Sequence, residues 1–137
     1  NKKIVVANRY VASNMGHQGG KIKDDGARQN FFEWNDDLEY NIFKIPRPDL
    51  NIILHVTPEI AQQLVKKKEE RDYLSGGKKD IHETDLNHLK NAEKTYLEIA
   101  GRFPNFFLIE CVENNQILTP EEIHKKIWDL IKQKINQ

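Results

Sequence analysis

The chain lacks the features that would tie it to a membrane, a disulfide framework or a polyanion. Its 137 residues include one cysteine, which excludes an intrachain disulfide and is typical of proteins of the reducing cytoplasm. No apolar run approaches the roughly 20 residues of a membrane-spanning helix. The 21 basic and 21 acidic residues balance, so bulk charge favours neither nucleic acid nor a membrane surface. We therefore expect a cytoplasmic protein that binds neither of these partners.

Three short apolar runs alternate with helical patterns. The runs lie at residues 4–7, 50–56 and 106–111 and are rich in β-branched and aromatic residues, which favour strands. Strands separated by helices predict right-handed crossovers and a mostly parallel sheet. The length suits one domain with a core of its own. The sequence therefore predicts a single α/β domain over residues 1–137.

Helical periodicity fills the intervals between these runs. Residues 13–14, Ser-Asn, are placed to cap a first helix, and a Gly-Gly pair at residues 19–20 would end it. Threonine followed by proline, at residues 57–58 and again at 119–120, is typical of a helix start. The predicted apolar faces are Phe31, Trp34, Leu38 and Ile42; Ile60, Ala61, Leu64 and Val65; Leu86, Leu89, Ala92, Tyr96 and Ile99; and Ile123, Ile127, Leu130 and Ile131.

Polar residues follow the first apolar run, where ligands gather in open α/β sheets. Arg9 can donate two hydrogen bonds to one phosphate through its planar guanidinium. The amide of Asn14 both donates and accepts, so it can pair with the edge of a base. Ser13, His17 and Gln18 lie on the same segment. The alternative is a capped helix with polar side chains in water, and spacing alone leaves both interpretations open.

A second charged group lies in residues 66–83, KKKEERDYLSGGKKDIHE. This segment has a Gly-Gly pair and almost no apolar periodicity, which predicts a mobile surface segment. A charge run usually forms a solvated face, but these cations suit a phosphoryl group in transfer. Asp80 and Glu83, three apart, are placed to orient the cations or a magnesium-bound water. The candidate cations are Arg71, Lys78 and Lys79.

Three further features favour structural roles. Residues 46–49, Pro-Arg-Pro-Asp, predict a rigid turn into the second run, with Arg47 able to reach an acidic group at the edge of a site. Cys111 lies in an apolar run and is better suited to burial than to nucleophilic attack. The remaining histidines show no metal-ligand spacing and are interpreted as surface or core residues: His55, His82, His88 and His124.

Four segments together resemble thymidylate kinases. NRYVASNMGHQ, residues 8–18, resembles the family's Asp-Arg-Tyr/His motif and the base-reading segment after it. IPRPDLNIILHV, residues 45–56, resembles its Pro-(Lys/Arg)-Pro-Asp-Leu turn and fourth strand. RDYLSGGKKDIHE, residues 71–83, takes the place of the lid, and YLEIA, residues 96–100, resembles the helix after it. The segments follow the family's order across essentially the whole chain.

The resemblance implies a P-loop NTPase-like, three-layer α/β/α fold with a parallel sheet, and a homodimer. It implies transfer of the γ-phosphoryl of ATP to dTMP, with Mg²⁺, to give dTDP and ADP. The lid would lie at about residues 66–83. Two other interpretations stay open: a non-catalytic nucleotide-binding protein that is a decayed kinase, and a kinase for another (deoxy)nucleoside or monophosphate.

Roles for individual residues also follow from the resemblance. Arg9 would hold the phosphate of dTMP, and Asn14 would contact thymine. His17 would stand near the sugar, where the family commonly has Tyr. Glu83 would match an acidic residue near the sugar and the magnesium waters. The other implied substrate contacts are Ser13, Gln18 and His82, and the implied lid cations are Arg71, Lys78 and Lys79.

Two departures from the family pattern matter. No segment matches G-x-x-x-x-G-K-[ST], the loop that cradles ATP phosphates. The chain therefore resembles the C-terminal two-thirds of such a kinase, with the N-terminal strands and the P-loop expected upstream. The family's Asp before the arginine is Asn8 here. Because an amide carries no negative charge, Asn8 would be a weak magnesium ligand.

Overall fold

The computed structural model describes residues 3–73 and 86–135. The predicted mixture of helices and strands is confirmed. A π-helical turn, Leu38–Ile42, extends the second helix. The elements in chain order are helices α1 (Val11–Gly19) and α2 (Asp25–Asp37), strand β1 (Asn51–His55), helices α3 (Pro58–Tyr73) and α4 (Leu86–Arg102), strands β2 (Phe106–Glu110), β3 (Val112–Glu113) and β4 (Gln116–Ile117), and helix α5 (Pro120–Ile135).

Strands β1 and β2 pair in parallel, as the spacing of the second and third apolar runs predicts. Asn51 lies opposite Phe106, and His55 lies opposite Glu110. Helix α4 comes between the two strands in the chain and packs against both. Since the strands end in register, the side chains of His55 and Glu110 lie at the same carboxyl edge of the sheet.

A short antiparallel hairpin, β3 with β4, follows the parallel pair. The sequence analysis did not predict it. Asn114 and Asn115 form its turn with φ angles of 50° and 59°, values that asparagine tolerates better than most residues. An Asn-Asn pair between short apolar segments is the signal that would have identified this turn.

The predicted strand at residues 4–7 is wrong. These residues form no strand, and Ile4, Val5 and Val6 are 74%, 88% and 89% exposed. A strand needs a neighbour that satisfies its backbone hydrogen bonds. Among the described residues β1 pairs with β2 alone, and residues 4–7 pair with neither strand. Apolar composition by itself does not form a strand.

Helix α1 corrects the predicted start and confirms the predicted end. Its N-cap is Tyr10, without a side-chain cap, so the Ser-Asn pair at residues 13–14 lies inside the helix and does not cap it. The helix ends at Gly19, with Gly20 as its C-cap. The first Gly-Gly pair therefore ends the helix as predicted.

The buried face of α2 differs from the predicted one. Phe32 is fully buried, whereas Trp34 and Ile42 are 56% and 62% exposed. Arg28 lies one turn before Phe32 and is also buried, because Glu98 of α4 accepts two hydrogen bonds from its guanidinium. The Arg28–Glu98 ion pair helps to hold this face of α2 against α4. Apolar periodicity alone does not predict such a pair.

The starts of α3 and α5 are confirmed. At α5, the backbone N–H of Thr119 donates to Oε2 of Glu122 at 2.8 Å, and the N–H of Glu122 donates to Oγ1 of Thr119 at 3.3 Å, which is a capping box. Helix α3 continues to Tyr73, so the beginning of residues 66–83 is helical, contrary to the predicted mobile segment. Residues 74–85 lie outside the described part of the chain.

The core forms where α1, α2 and α4 meet. Its buried members are Val11, Met15, Phe32 and Ile99, of which Ile99 confirms the predicted stripe of α4. This packing fixes α1 against α4. None of the helices within residues 3–73 and 86–135 combines the length and the apolar character that crossing a membrane requires.

Candidate functional site

Two glycines let α1 lie directly against α4. A Cβ on Gly16 would come within 2.7 Å of Cε1 of Tyr96, and a Cβ on Gly19 would come 3.1 Å from Cγ2 of Thr95. Both distances are shorter than ordinary van der Waals contacts. Because glycine has no side chain, the two helices approach closely, and the end of α1 lies beside the start of α4.

This approach places His17 of α1 between two rings of α4. The ring centroids of His17 and His88 are 6.1 Å apart, with their planes inclined by 14°. The ring of Tyr96 meets His17 edge-on, at 6.3 Å and 87°. His17 is half-buried as a result, so charges near it are less screened than they would be in bulk water.

Among the described residues, the charges that act on His17 are positive. Burial lowers the pKa of His17, and the positive charges of Arg9, His88 and Lys21 lower it further. Lys21 also donates a hydrogen bond to Gln18 at 3.1 Å. We call Arg9, His17, Lys21 and His88 the basic cluster. A concentration of positive charge at a half-buried position is suited to an anion.

Arg9 has an unusual backbone. Its φ angle is 67°, in the left-handed region that side-chain-bearing residues seldom adopt. The next residue anchors the segment, since the hydroxyl of Tyr10 donates to the carbonyl of Pro46 at 3.1 Å and its carbonyl accepts from the N–H of Ser13 at 2.9 Å. Strained conformations concentrate at functional sites, and Arg9 is exposed.

The other predicted residues of this segment lie on α1 or just before it. Ser13 and His17 are four residues apart, as are Asn14 and Gln18, so each pair shares a ridge of the helix. Asn14 and Gln18 are exposed, and Ser13 is half-buried. Asn8 is exposed in the bend before the helix. The first predicted group of polar residues is therefore contiguous in space.

The predicted lid residues are not tested by the structure. Arg71 belongs to the backbone of α3, but its side chain is outside the description. Lys78, Lys79, His82 and Glu83 lie in residues 74–85, outside the described residues, and so does Asp80. Their roles stay predictions of the resemblance.

His55 forms a bridge that the sequence analysis missed. Its Nδ1 lies 2.6 Å from Oε2 of Glu110, and its Nε2 lies 2.8 Å from Oε1 of Glu93 on α4. A carboxylate only accepts, so both nitrogens donate when both acids are ionised. Burial acts to lower the pKa of His55, but the hydrogen bonds and charges of Glu110 and Glu93 outweigh it and raise the pKa. Parallel pairing of the two strand ends is the signal that would have predicted the contact of His55 with Glu110, but not the one with Glu93.

An open groove lies beside the bridge. It is lined by His55, Glu93 and Tyr96 and by apolar residues of β1, α3 and α4. Tyr96 also packs against His17, so the groove and the basic cluster meet at this tyrosine. The apolar lining includes Leu54, Val56, Pro58, Ala61, Leu89 and Leu97.

Arg47 and Cys111 have structural roles. Arg47 donates two hydrogen bonds, both 2.7 Å, to the carboxylate of Asp36, and its guanidinium lies 4.0 Å above the ring of Tyr40. Arg47 thus pairs with an acidic group, Asp36, and the pair fixes the proline turn to α2; that this group lies at the edge of a site stays a prediction. Cys111 is 1% exposed, as predicted, and burial raises the pKa of its thiol, which disfavours the reactive thiolate.

The described residues do not form a metal site. Within residues 3–73 and 86–135 no three His, Cys, Asp or Glu side chains are arranged to hold an ion. Asn8 offers a neutral amide in an exposed bend. Asn8 therefore supplies no charge to a magnesium ion at that position.

Several thymidylate kinases match the chain in sequence. A thymidylate kinase of Caldicellulosiruptor saccharolyticus is 29% identical over 136 residues, which cover 96% of this chain and 57% of that protein. A thymidylate kinase of Mycobacterium tuberculosis is 26% identical over 99 residues, or 72% of this chain and 45% of that protein. The chain is similar to thymidylate kinases. The predicted resemblance is confirmed, although no protein-family model matches. The chain spans about half the length of these thymidylate kinases.

Proposed function

We propose that this chain is the acceptor-binding part of a nucleoside monophosphate kinase of the thymidylate kinase type, and that its basic cluster holds the phosphate of dTMP. The observation that carries the proposal is the close packing of His17 against His88 at the junction of α1 and α4, with the charge of Arg9 acting on the His17 ring, in a chain similar to thymidylate kinases. The motif on which the resemblance rests and the positive charge thus coincide in space.

The geometry supports different roles for the residues along α1, each toward a different part of the nucleotide. Arg9 precedes the helix and can present its guanidinium to two oxygens of one phosphate. Asn14 and Gln18 form an exposed ridge of amides, which can donate to and accept from the edge of thymine. His17 stands between them and α4, at the place that the resemblance gives to the sugar. Such a site contributes to phosphoryl transfer by positioning and electrostatics and not by covalent chemistry.

The remaining parts of a kinase rest on the resemblance. The lid cations Arg71, Lys78 and Lys79 would supply positive charge to the group in transfer, and His82 and Glu83 would lie near the sugar. The P-loop NTPase-like three-layer fold, ATP, Mg²⁺, the homodimer and the cytoplasmic location are proposals of the same kind. The described residues bear on one part of this proposal, the basic cluster that would hold the phosphate of the acceptor.

A second candidate is a non-catalytic nucleotide-binding protein. Asn8 favours it, because an exposed amide replaces the carboxylate that the family has beside the arginine. A different acceptor is a third candidate, since His17 stands where the family commonly has Tyr. Both alternatives keep the anion site. The non-catalytic candidate differs from the first because no phosphoryl transfer follows binding. The third candidate differs in which base binds.

Calorimetric titration of the 137-residue chain tests the proposal. We expect dTMP to bind more tightly than thymidine, which lacks the phosphate, and more tightly than dAMP, whose base presents a different edge. Equal affinity for dTMP and dAMP would point to another acceptor. No binding of dTMP would contradict the proposed function.

A second assay separates binding from catalysis. The chain mixed with ATP, Mg²⁺ and dTMP is expected to form no dTDP, because its sequence contains no P-loop to hold the ATP phosphates. Formation of dTDP by protein free of contaminating kinase would show that the donor is held by other residues. Activity that appears only in a longer protein with a P-loop would distinguish the kinase from the non-catalytic alternative.

A further inference from the structure

Two imidazoles lie in a cluster that already contains two permanent cations. Imidazole is the side chain that titrates near neutral pH, and phosphate recognition alone does not require it. His17 and His88 are nearly parallel, 6.1 Å apart between centroids. At this distance a positive charge on His88 acts on the His17 ring.

Among the described residues, the charged and titratable groups that act on His17 oppose its protonation. Arg9 precedes α1, Lys21 follows it, and His88 lies on α4; all three lower the pKa of His17, after the larger effect of burial. The Tyr96 ring packs edge-on against His17. Without an anion, burial and these positive charges hold the pKa of His17 below its usual range.

An anion reverses this balance. A phosphate held by Arg9 would bring negative charge to the same cluster and offset the charges that disfavour imidazolium. A protonated His17 ring would then have a favourable partner. The proton would come from solvent and stay on the ring nitrogen, and no covalent bond to the ligand would form.

We propose that binding of a phosphate monoester at the basic cluster is coupled to uptake of a proton by His17, and that His88 sets the strength of this coupling. The inference rests on the proposed function and adds a pH response to the same site. Because linkage is reciprocal, the proton strengthens phosphate binding by the factor by which phosphate strengthens proton binding. The contribution of His17 to phosphate affinity therefore grows as pH falls through the pKa of its ring.

The test is a pH titration of the five histidine side chains by NMR, with no ligand, with dTMP and with inorganic phosphate. His17→Gln and His88→Gln identify the two signals. We expect ligand to raise the pKa of His17 by about one unit, equivalent to about a tenfold change in affinity. NMR is preferred to proton counting because the phosphate monoester itself titrates near pH 6.

The variants make the mechanism specific. In His88→Gln the pKa of His17 in the free protein should be higher than in the wild type, and the further rise on ligand binding should be smaller. His124→Gln, an exposed histidine of α5, is the matched control and should leave both values unchanged. If His88→Gln does not fold, the three wild-type titrations decide the question.

Each outcome is informative. Binding of dTMP without a rise in the pKa of His17 would overturn the inference and leave the proposed function intact. A rise with inorganic phosphate and no preference for dTMP would support the proton-linked anion site and contradict the nucleotide acceptor. Failure of both ligands to bind would overturn both.

Discussion

Nδ1 of His55 lies 2.6 Å from Oε2 of Glu110, across the carboxyl ends of the two parallel strands. The other ring nitrogen contacts Glu93 of α4. One histidine thereby joins β1, β2 and α4 at a single point. Since α4 also carries His88 and Tyr96, this bridge helps to fix the helix that forms one side of the basic cluster.

The bridge predicts a pH-dependent stability. The pKa of His55 is raised in the folded protein, so its stabilisation is fully present below the unfolded value of about 6.5 and is lost as pH rises through the folded pKa. We expect His55→Gln to lose on the order of 1 kcal/mol at about pH 6, and less at about pH 9. This figure is modest because the Glu110 side chain is 53% exposed.

Urea unfolding at the two pH values measures the effect. His124→Gln, on the surface of α5, should change stability equally and little at both. A loss from His55→Gln that stays constant or grows with pH would mean that the ring acts through packing and not through its charge.

The glycine contact between α1 and α4 predicts that two glycine-to-alanine substitutions change stability in opposite directions. Gly16→Ala would force a methyl group into the Tyr96 ring and should destabilise the protein by about 1–3 kcal/mol. Gly101→Ala is the matched control, because a Cβ there meets nothing within 4 Å. It lies in helix α4 and should stabilise by up to about 1 kcal/mol.

Thermal unfolding of the two glycine variants decides this point. The NMR chemical shift of the His17 ring should also change in Gly16→Ala, since the substitution separates α1 from α4. Equal midpoints for both variants would show that the helices can move apart without loss.

The buried arginine of α2 predicts a large loss. The Arg28 side chain is 4% exposed, donates two hydrogen bonds of 2.7 Å to Glu98 and one of 2.7 Å to the carbonyl of Ile22. Arg28→Met keeps an apolar stem but leaves these acceptors without their donor. We expect a loss of about 2–3 kcal/mol in the free energy of unfolding.

A second arginine supplies the control for Arg28. Arg102 joins the same two helices through Glu33, but its side chain is 36% exposed. Arg102→Met should therefore change stability by no more than about 0.5 kcal/mol. Urea unfolding that gave similar losses for both variants would argue against burial as the source of the Arg28 effect.

The proposed phosphate contact predicts a loss of affinity that depends on the ligand. Arg9→Ala should weaken dTMP binding by about 1.5–3 kcal/mol, roughly tenfold to a hundredfold. Thymidine should lose far less. Arg9→Lys should recover only part of the loss, because lysine keeps the charge but not the planar fork.

Calorimetric titration of both ligands measures this difference. Lys44→Ala is the matched control, since Lys44 is also an exposed cation with a positive φ angle, 55°, and lies outside the basic cluster. It should leave dTMP affinity unchanged. Equal losses for dTMP and thymidine in Arg9→Ala would assign Arg9 a role in shaping the pocket.

Several elements followed from the sequence because their signals are local. The apolar runs of β1 and β2, the threonine-proline starts of α3 and α5, and the apolar stripe of α4 each depend on residues within one or two turns of one another. The order of motifs also carried the resemblance to thymidylate kinases. Contiguity of the polar residues of α1 followed as well, since they belong to one helix.

Other features were decided only by the tertiary structure. Residues 4–7 have the composition of a strand, but a strand exists only with a hydrogen-bonding neighbour. The buried face of α2 depends on an ion pair between Arg28 and Glu98, 70 residues apart. The contact of His17 with His88, and the bridge of His55 to its two glutamates, likewise join residues that are far apart in the sequence. Local periodicity determines which segments can be helices and strands, whereas the pairing of distant charges and rings depends on how those segments pack.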